Sequence, residues 1–320
     1  MNFDEFIEML VCPKCKGHLG KENESLFCIN CRCVYPFQDN IPIMLFDISG
    51  ENPPNTHISS ADAKKTWEIK KYSMVAESLD MSGFAPYTTY LNYGYIPNEN
   101  PQYAKIELPH HCLNKESIKL TLETIGDCDI NGKQILEIGC GRGGNIITMN
   151  EYFNPKFTIG IDICPASIMF CETNHRLDNV FSINGDAEYI PFSGEAFDVV
   201  FNLESSHAYP DIKKFYREVF RVQKNGGYFL YSDCLPVETF MECEKYLIDL
   251  GFSVLYNRDI TSNVLASCRE VARKRTNAFH GKNVDISKMV ESFVAVPGSS
   301  AYEAMKNGNF LYKILTFQKN

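Results

Sequence analysis

The chain holds a single tryptophan and no apolar run approaching the eighteen or so residues that a membrane-spanning helix needs. Positive charge is scarce as well: 31 Lys and Arg stand against 40 Asp and Glu, a formal −9. That balance argues against a long nucleic-acid partner, which is gripped through phosphate-facing cations. The opening "MNFDEFIEML" is acidic and lacks the basic segment of a secretory signal, so the expected location is the cytoplasm, with no membrane partner. What the sequence has in plenty is cysteine, 13 residues of it. Four stand as two CxxC pairs near the N-terminus and the rest are scattered singly. Such a distribution suits a reducing compartment and one metal site better than a disulfide framework. The remaining composition, 44% hydrophobic and 22% charged, is that of a globular protein. Its 320 residues suffice for one large domain and a small one.

The cysteine pairs are "CPKC" (Cys12, Cys15) and "CINC" (Cys28, Cys31), joined by a short polar hairpin. Each presents two thiolates on a tight turn, and together they form the donor set of a tetrahedral structural zinc site. Cys33 follows in "CRC" and competes with Cys31, and His18 lies nearby; Cys31 preserves the second CxxC spacing and is preferred. A unit as small as residues 1–48 depends on its metal to fold. It resembles the zinc ribbons fused to, or partnering, methyltransferases. After it, "DISGENPPNTHISSAD" is rich in Ser, Asn, Pro and Gly, which marks residues 49–66 as a linker and 67–320 as a second module.

From about residue 131 apolar runs alternate with amphipathic ones. "QILEIGC", "FTIGIDI", "VFSINGDA", "FDVVFNLES", "GGYFLYSD", "FSVLYNRDI" and "FLYKILTFQK" read as strands, with helical segments between them except between the third and fourth and before the last. Alternation of this kind predicts an α/β fold, a mostly parallel sheet covered on both faces, closed by an antiparallel strand at the end. The layout resembles the Rossmann-like class I methyltransferase fold with its seven-stranded sheet. Residues 67–130 then form an N-terminal helical cap and 131–320 the catalytic core.

"LEIGCGRGGN" fits both the dinucleotide fingerprint GxGxxG and the GxGxG of S-adenosylmethionine (SAM) enzymes, since glycines at a strand-to-helix turn let any ligand approach the backbone. Asp162 ends the next strand, where its carboxylate would accept from a ribose diol. Three further features favour SAM. Glu137, two residues before the first glycine, suits a cationic ligand better than a pyrophosphate. Asp186 follows the third strand, placed for an adenine amino group. "REVFRVQKNGGYFLYSD" leads to the fifth strand through a Gly-Gly turn. In order and spacing the set resembles the motif series of SAM-dependent methyltransferases over about 180 residues. The resemblance implies cofactor contacts from Glu137, Gly139, Cys140, Gly141, Gly143, Asp162, Ile163, Asp186, Ala187 and Asn202.

A last stretch points to the reaction. "FNLESSHAYPD" carries Glu204, Ser205, Ser206, His207 and Tyr209 straight out of a buried strand, at the end of the sheet where ligands of such folds bind. With "YLNYGYIP" upstream, it resembles segments of small-molecule methyltransferases acting on natural products and sugars. The resemblance places Tyr93 and Tyr95 over the sulfonium, where an aromatic face favours a cation. It also makes His207 the general base, with Asp233 orienting its ring. Glu204, Ser205 and Tyr209 are then cofactor or substrate contacts, while His110 and His111 line or cap the acceptor pocket. The expected activity is O-methylation of a small secondary metabolite, in a chain for which a homodimer is left open. N- or C-methylation stays open, as does a ribosomal- or transfer-RNA base methyltransferase whose ribbon reads RNA, or a non-catalytic scaffold.

Overall fold

A capping box between Asn2 and Glu5 starts a short helix, α1 (Phe3–Glu8), which buries Phe6 and Ile7. Four short strands follow, β1 (Leu19–Glu22), β2 (Ser25–Cys28), β3 (Val34–Gln38) and β4 (Ile41–Pro42), in one antiparallel sheet of that order. Left-handed residues make their tight turns: Asn23 between β1 and β2, Asp39 and Asn40 between β3 and β4. The structure, a computed structural model, describes residues 1–45, 60–81, 88–98, 106–109, 112, 114–279 and 295–320. No described helix is long and apolar enough to cross a membrane.

The next element is a long helix, α2 (Ser60–Met81), so residues 60–66 of the expected linker are helical. After α3 (Lys115–Ile125) the βα alternation begins. Its elements are β5 (Gln134–Ile138), α4 (Gly144–Tyr152), β6 (Phe157–Asp162), α5 (Pro165–Asn174), β7 (Val180–Asn184), β8 (Phe197–Leu203), α6 (Ile212–Val222), β9 (Gln223–Pro236), α7 (Val237–Leu250) and β10 (Phe252–Asp259). Then come α8 (Thr261–Phe279), α9 (Ser300–Lys306) and β11 (Phe310–Lys319).

All seven expected strands form one sheet in the order β10-β11-β9-β8-β5-β6-β7. Strands β5 to β9 run parallel, and β11 lies antiparallel between β9 and β10. The fold is the Rossmann-like class I methyltransferase layout. Strand β5 sits at the centre, and strand order reverses beside it, which opens a crevice at the carboxyl ends of β5, β6 and β8.

The ribbon does not hang free. Val11 N–H donates to Pro191 O (2.9 Å) and Met44 N–H to Asn184 O (2.7 Å), and Ile43 makes a parallel bridge with Asn184 on β7. Phe6 stacks on Phe181 of β7 at 4.7 Å between ring centroids. Lys16 reaches Glu218 of α6 at 2.6 Å, and burial lowers its pKa against the pull of that carboxylate. Phe6, Leu10, Tyr35 and Met44 belong to the same apolar cluster as Leu136, Ile159 and Phe192 of the catalytic domain. The ribbon therefore covers an edge strand that would otherwise offer unpaired backbone groups.

Because that cluster is continuous, truncating one ribbon side chain should weaken the whole chain. Phe6→Ala, at a position 1% exposed, is expected to cost about 3–5 kcal/mol. Denaturant unfolding should show a single transition at a lower midpoint. A separate early transition, with the rest unchanged, would mean that the two units are independent.

Candidate functional site

Chain direction at the crevice is set by glycines. Gly139, Gly141 and Gly143 have φ of +70°, +52° and +78°, a region that residues with a Cβ avoid. At Gly139 space is decisive too, since a Cβ there would stand 2.3 Å from Ser205 Oγ and 2.8 Å from the Tyr209 hydroxyl. Below the turn Asn202 Nδ2 donates to Ile138 O (2.8 Å) and Ser205 Oγ (2.7 Å), tying β8 to the end of β5.

The crevice encloses a cavity of about 210 Å³. Of the residues expected to hold a cofactor, Tyr93, Gly139, Cys140, Gly141, Asp162, Ile163, Asp186 and Ala187 line it, and His207 closes one side. Four others do not. Glu137 is fully buried behind the turn, where Oε1 accepts from Asn145 Nδ2 (2.7 Å). Burial pushes its pKa up to about 8. Gly143 caps α4, and Asn202 is consumed by the strand tie just described. Tyr95 points away: its hydroxyl donates to Glu123 (3.5 Å), beside Arg258. His110 and His111 lie outside the described residues.

Several polar groups of the turn are spent on the fold itself. The N–H groups of Gly139 and Cys140 donate to Ile161 O, that of Gly143 to Cys140 O, and that of Gly141 to Asp162 Oδ2 (2.8 Å). Carboxylates of Asp162, Asp186, Glu188 and Glu204 line the cavity, together with the cations of Lys65, Lys71 and Arg142. Asp162 Oδ1 accepts from Cys164 N–H (2.8 Å), and each of its oxygens keeps capacity for a ribose hydroxyl. Burial raises the Asp162 pKa, against its backbone hydrogen bonds. The donor set fits a cationic nucleoside.

One wall was not legible in the sequence. Helix α2 brings Lys65, Glu68, Lys71 and Tyr72 into the cavity. Lys65 Nζ lies 2.7 Å from both Asp186 Oδ2 and Glu188 Oε2. Asp186, the acid expected beside an adenine, is thus already paired with a lysine from the stretch expected as linker.

On the opposite side β8 ends in a turn, with a short 3₁₀ segment over Ser206–Ala208. His207 Nδ1 is 2.8 Å from Asp233 Oδ1 on β9. Asp233 is fully buried and heavily bonded: Ser206 Oγ (2.5 Å), His207 N–H (3.1 Å) and Cys234 N–H (2.7 Å) all donate to it. Burial works against its charge, yet the His207 ring and these donors hold its pKa below the usual value. His207 moves the other way. Burial opposes its protonation, but the charges of Asp233 and Glu204 prevail and raise its pKa.

The ribbon holds a second candidate centre. The sulfurs of Cys12, Cys15, Cys28 and Cys31 all lie within 4.8 Å of one another, with Cys12–Cys31 at 3.5 Å and Cys15–Cys28 at 3.4 Å. Four Zn–S bonds of about 2.3 Å in tetrahedral array need sulfur separations of about 3.8 Å, which these bracket. The Tyr35 hydroxyl, 3.1 Å from Cys12 Sγ, is placed to donate to the thiolate and orient it. Cys33 and His18 stay outside the cluster, as the spacing argument prefers.

Comparison with known proteins agrees with this geometry. The family described as methyltransferase domain matches residues 130–250, and that described as Trm112p-like protein matches residues 4–40. The fatty-acid O-methyltransferase of Mycolicibacterium smegmatis is 33% identical over 241 residues, 72% of this chain and 83% of the relative. The phthiotriol/phenolphthiotriol dimycocerosates methyltransferase of Mycobacterium tuberculosis is 32% identical over 208 residues, 65% of this chain and 77% of the relative. Among solved structures, the (4+2)-cyclase SpnF superposes with a TM-score of 0.62 at 19% identity, over 80% of this chain and 96% of that one. The chain belongs to the class I SAM-dependent methyltransferases of the small-molecule type, and carries a Trm112p-like zinc ribbon at its N-terminus. It is an enzyme that uses SAM, with a structural zinc site in the ribbon.

Two measurements test these centres. Asp162→Ala should weaken SAM binding by about 1–3 kcal/mol, the cost of hydrogen bonds to a charged group left unmade; unchanged affinity by calorimetry would refute the ribose assignment. Protein purified without chelator should carry one zinc per chain by elemental analysis. Cys12→Ser should lose the metal and lower the melting temperature of the entire chain, because the ribbon shares its core with the sheet. Full zinc content in that variant would rule out this ligand set.

Proposed function

We propose that the enzyme methylates a hydroxyl oxygen of a small acceptor, a secondary metabolite, with His207 as general base. The observation that carries the reading is the 2.8 Å contact between His207 Nδ1 and the buried Asp233 carboxylate. A carboxylate there accepts the Nδ1–H, so the neutral ring keeps its lone pair on Nε2, the nitrogen left for an acceptor in the cavity. The ring is 37% exposed while Asp233 is wholly buried, as befits a base that meets substrate and a partner that does not.

Bound SAM supplies an electrophilic methyl group. An alcohol is a poor nucleophile until its proton is removed, and a positioned base of near-neutral pKa does this best. As the acceptor proton passes to Nε2, the ring becomes imidazolium, and Asp233 stabilises that charge without taking the proton itself. The O-methyltransferase name of the Mycolicibacterium relative supports transfer to oxygen. The acidic balance of 31 basic against 40 acidic residues fits a small acceptor better than RNA.

His207→Ala should lower kcat by about 10²–10⁴ and leave SAM affinity nearly unchanged. Below the raised imidazole pKa the base is protonated and inactive, so the rate should climb as pH rises through that value and then level off. The acceptor probe is 16-hydroxyhexadecanoic acid with radiolabelled SAM, because mass spectrometry then separates ether from ester. Turnover of the alanine variant within about threefold of the native enzyme, on the same pH limb, would make His207 a wall residue. Ester as the sole product would move the transfer from hydroxyl to carboxylate.

A further inference from the structure

We infer that Glu204 is a positioning residue of this site, acting through His207: its carboxylate joins that of Asp233 in stabilising the imidazolium formed when the acceptor proton is taken. The inference rests on the reading of His207 as base and gives Glu204, expected from the sequence as a cofactor or substrate contact, a different role.

Glu204 occupies a place where a glutamate is costly. Its φ is +48°, left-handed for a residue with a Cβ, and such strain persists only where the surroundings enforce it. Here they do. Its N–H donates to Ser232 O (2.8 Å), which locks the backbone against β9. The carboxylate accepts the N–H of Tyr93 with both oxygens (2.9 and 3.1 Å) and the Tyr312 hydroxyl on Oε1 (2.6 Å). Three separate elements therefore converge on one side chain: the end of β8, the cap segment at Tyr93, and the antiparallel strand β11. A turn needing only that backbone would be served by glycine or asparagine. This one instead brings a carboxylate into the cavity wall three positions before His207, within the same lining.

The electrostatics follow. The charged and titratable groups around the pair come from every neighbouring element: Asp233 and Cys234 from β9, Tyr312 from β11, Tyr93 from the cap, and Lys71 and Tyr72 from α2. For His207 the carboxylates of Asp233 and Glu204 favour the imidazolium, while Lys71 disfavours it. Burial pushes Glu204 up to about 7, against the hydrogen bonds from Tyr312 and Tyr93. Each group is among the charges that shift the other, so a proton bound or lost at one alters the other.

In the step itself the acceptor O–H bond breaks and its proton goes to His207 Nε2. The oxygen pair forms the new O–CH₃ bond, and the pair of the old S–CH₃ bond remains on sulfur. Positive charge leaves sulfur and appears on the imidazole, which lies against Asp233 in a cavity wall that Glu204 shares. Glu204 never touches the transferred proton.

The test is the titration of the His207 ring, followed by NMR in protein labelled at histidine, with the His207 signal identified by its loss in His207→Ala. Glu204→Gln keeps an acceptor for Tyr93 and Tyr312 but removes the charge. It should shift the His207 midpoint down by about 0.5–1 pH and move the acid limb of the rate profile with it, while calorimetric SAM affinity stays within about threefold. A second measurement needs no variant: the native His207 curve should be broadened or biphasic near neutrality, as coupled sites are. A midpoint unchanged within about 0.2 pH in a Gln variant that binds SAM would overturn the inference. So would a simple one-proton curve in the native enzyme, should the variant fail to fold. Either result leaves the base assignment standing, because that assignment falls only if His207→Ala keeps its activity.

Discussion

Everything at this site depends on the chain leaving β5 through a turn that no residue with a side chain can make. Gly139 must adopt φ +70° with Ser205 and Tyr209 pressed against the place a Cβ would fill. Once it does, the order of parts is forced. The N–H groups of the turn reach Ile161 O and Asp162, which fixes the acid at the end of β6 under the cavity floor. Ser205, held over the turn by Asn202 and Tyr209, sets where β8 must bend, and the next residues carry His207 onto Asp233. A methyl group at Gly139 would displace both halves of the site together. Cofactor floor and reaction wall are thus one mechanical unit, although the sequence separates them by more than sixty residues.

What was legible in the sequence was whatever local chemistry enforces. Paired cysteines on tight turns, a glycine turn between a buried strand and a helix, and apolar runs too long to face water at either side all have one physical solution, and the sheet and ribbon followed from them. Other features depend on direction rather than composition. Tyr93 and Tyr95 are two apart, so in a plain extended segment they would face the same way. Gly94 between them has φ +76°, which turns the chain and sends Tyr95 to Glu123 and Arg258 instead of the cavity. Glu137 and Asn202 lie on strands buried on both faces, where Glu137 Oε1 accepts from Asn145 and Asn202 Nδ2 donates to Ile138 O and Ser205 Oγ rather than reaching the cavity. Helix α2 was hidden for the opposite reason. Its apolar residues do not gather on one side, so although a helical cap was expected from residue 67, nothing announced that the helix starts within the linker or that Lys65 and Lys71 line a cavity. The end of a stretch that read as linker was part of a wall of the site.

The ribbon shows how a small metal unit contributes beyond its own stability. Alone, residues 1–45 offer too little apolar surface to hold a fold without zinc. Packed on β7, they add Phe6, Leu10 and Met44 to the core and satisfy backbone groups of the Asn184 and Pro191 region. That region leads directly into Asp186 and Ala187, which line the cavity. Metal, sheet edge and cofactor wall are therefore contiguous. Loss of the thiolate cluster would be felt at the adenine side through backbone hydrogen bonds rather than through any contact of zinc with the ligand.

Charge then gives the site a direction. Burial raises the pKa of Asp162 and Glu204 in the cavity lining above their ordinary values, and that of Glu137 behind the turn likewise. A ligand bearing an ammonium and a sulfonium favours their ionised forms, and its binding is strengthened by the same amount. After transfer the sulfur is neutral and that part of the attraction is gone. The by-product is then held less tightly than the donor at the sulfur end, and with His207 as the proposed base the positive charge resides on its ring, against the buried Asp233 carboxylate, until the proton reaches solvent. The loss of charge at sulfur is thus a difference between donor and by-product that the carboxylates of this cavity are placed to read.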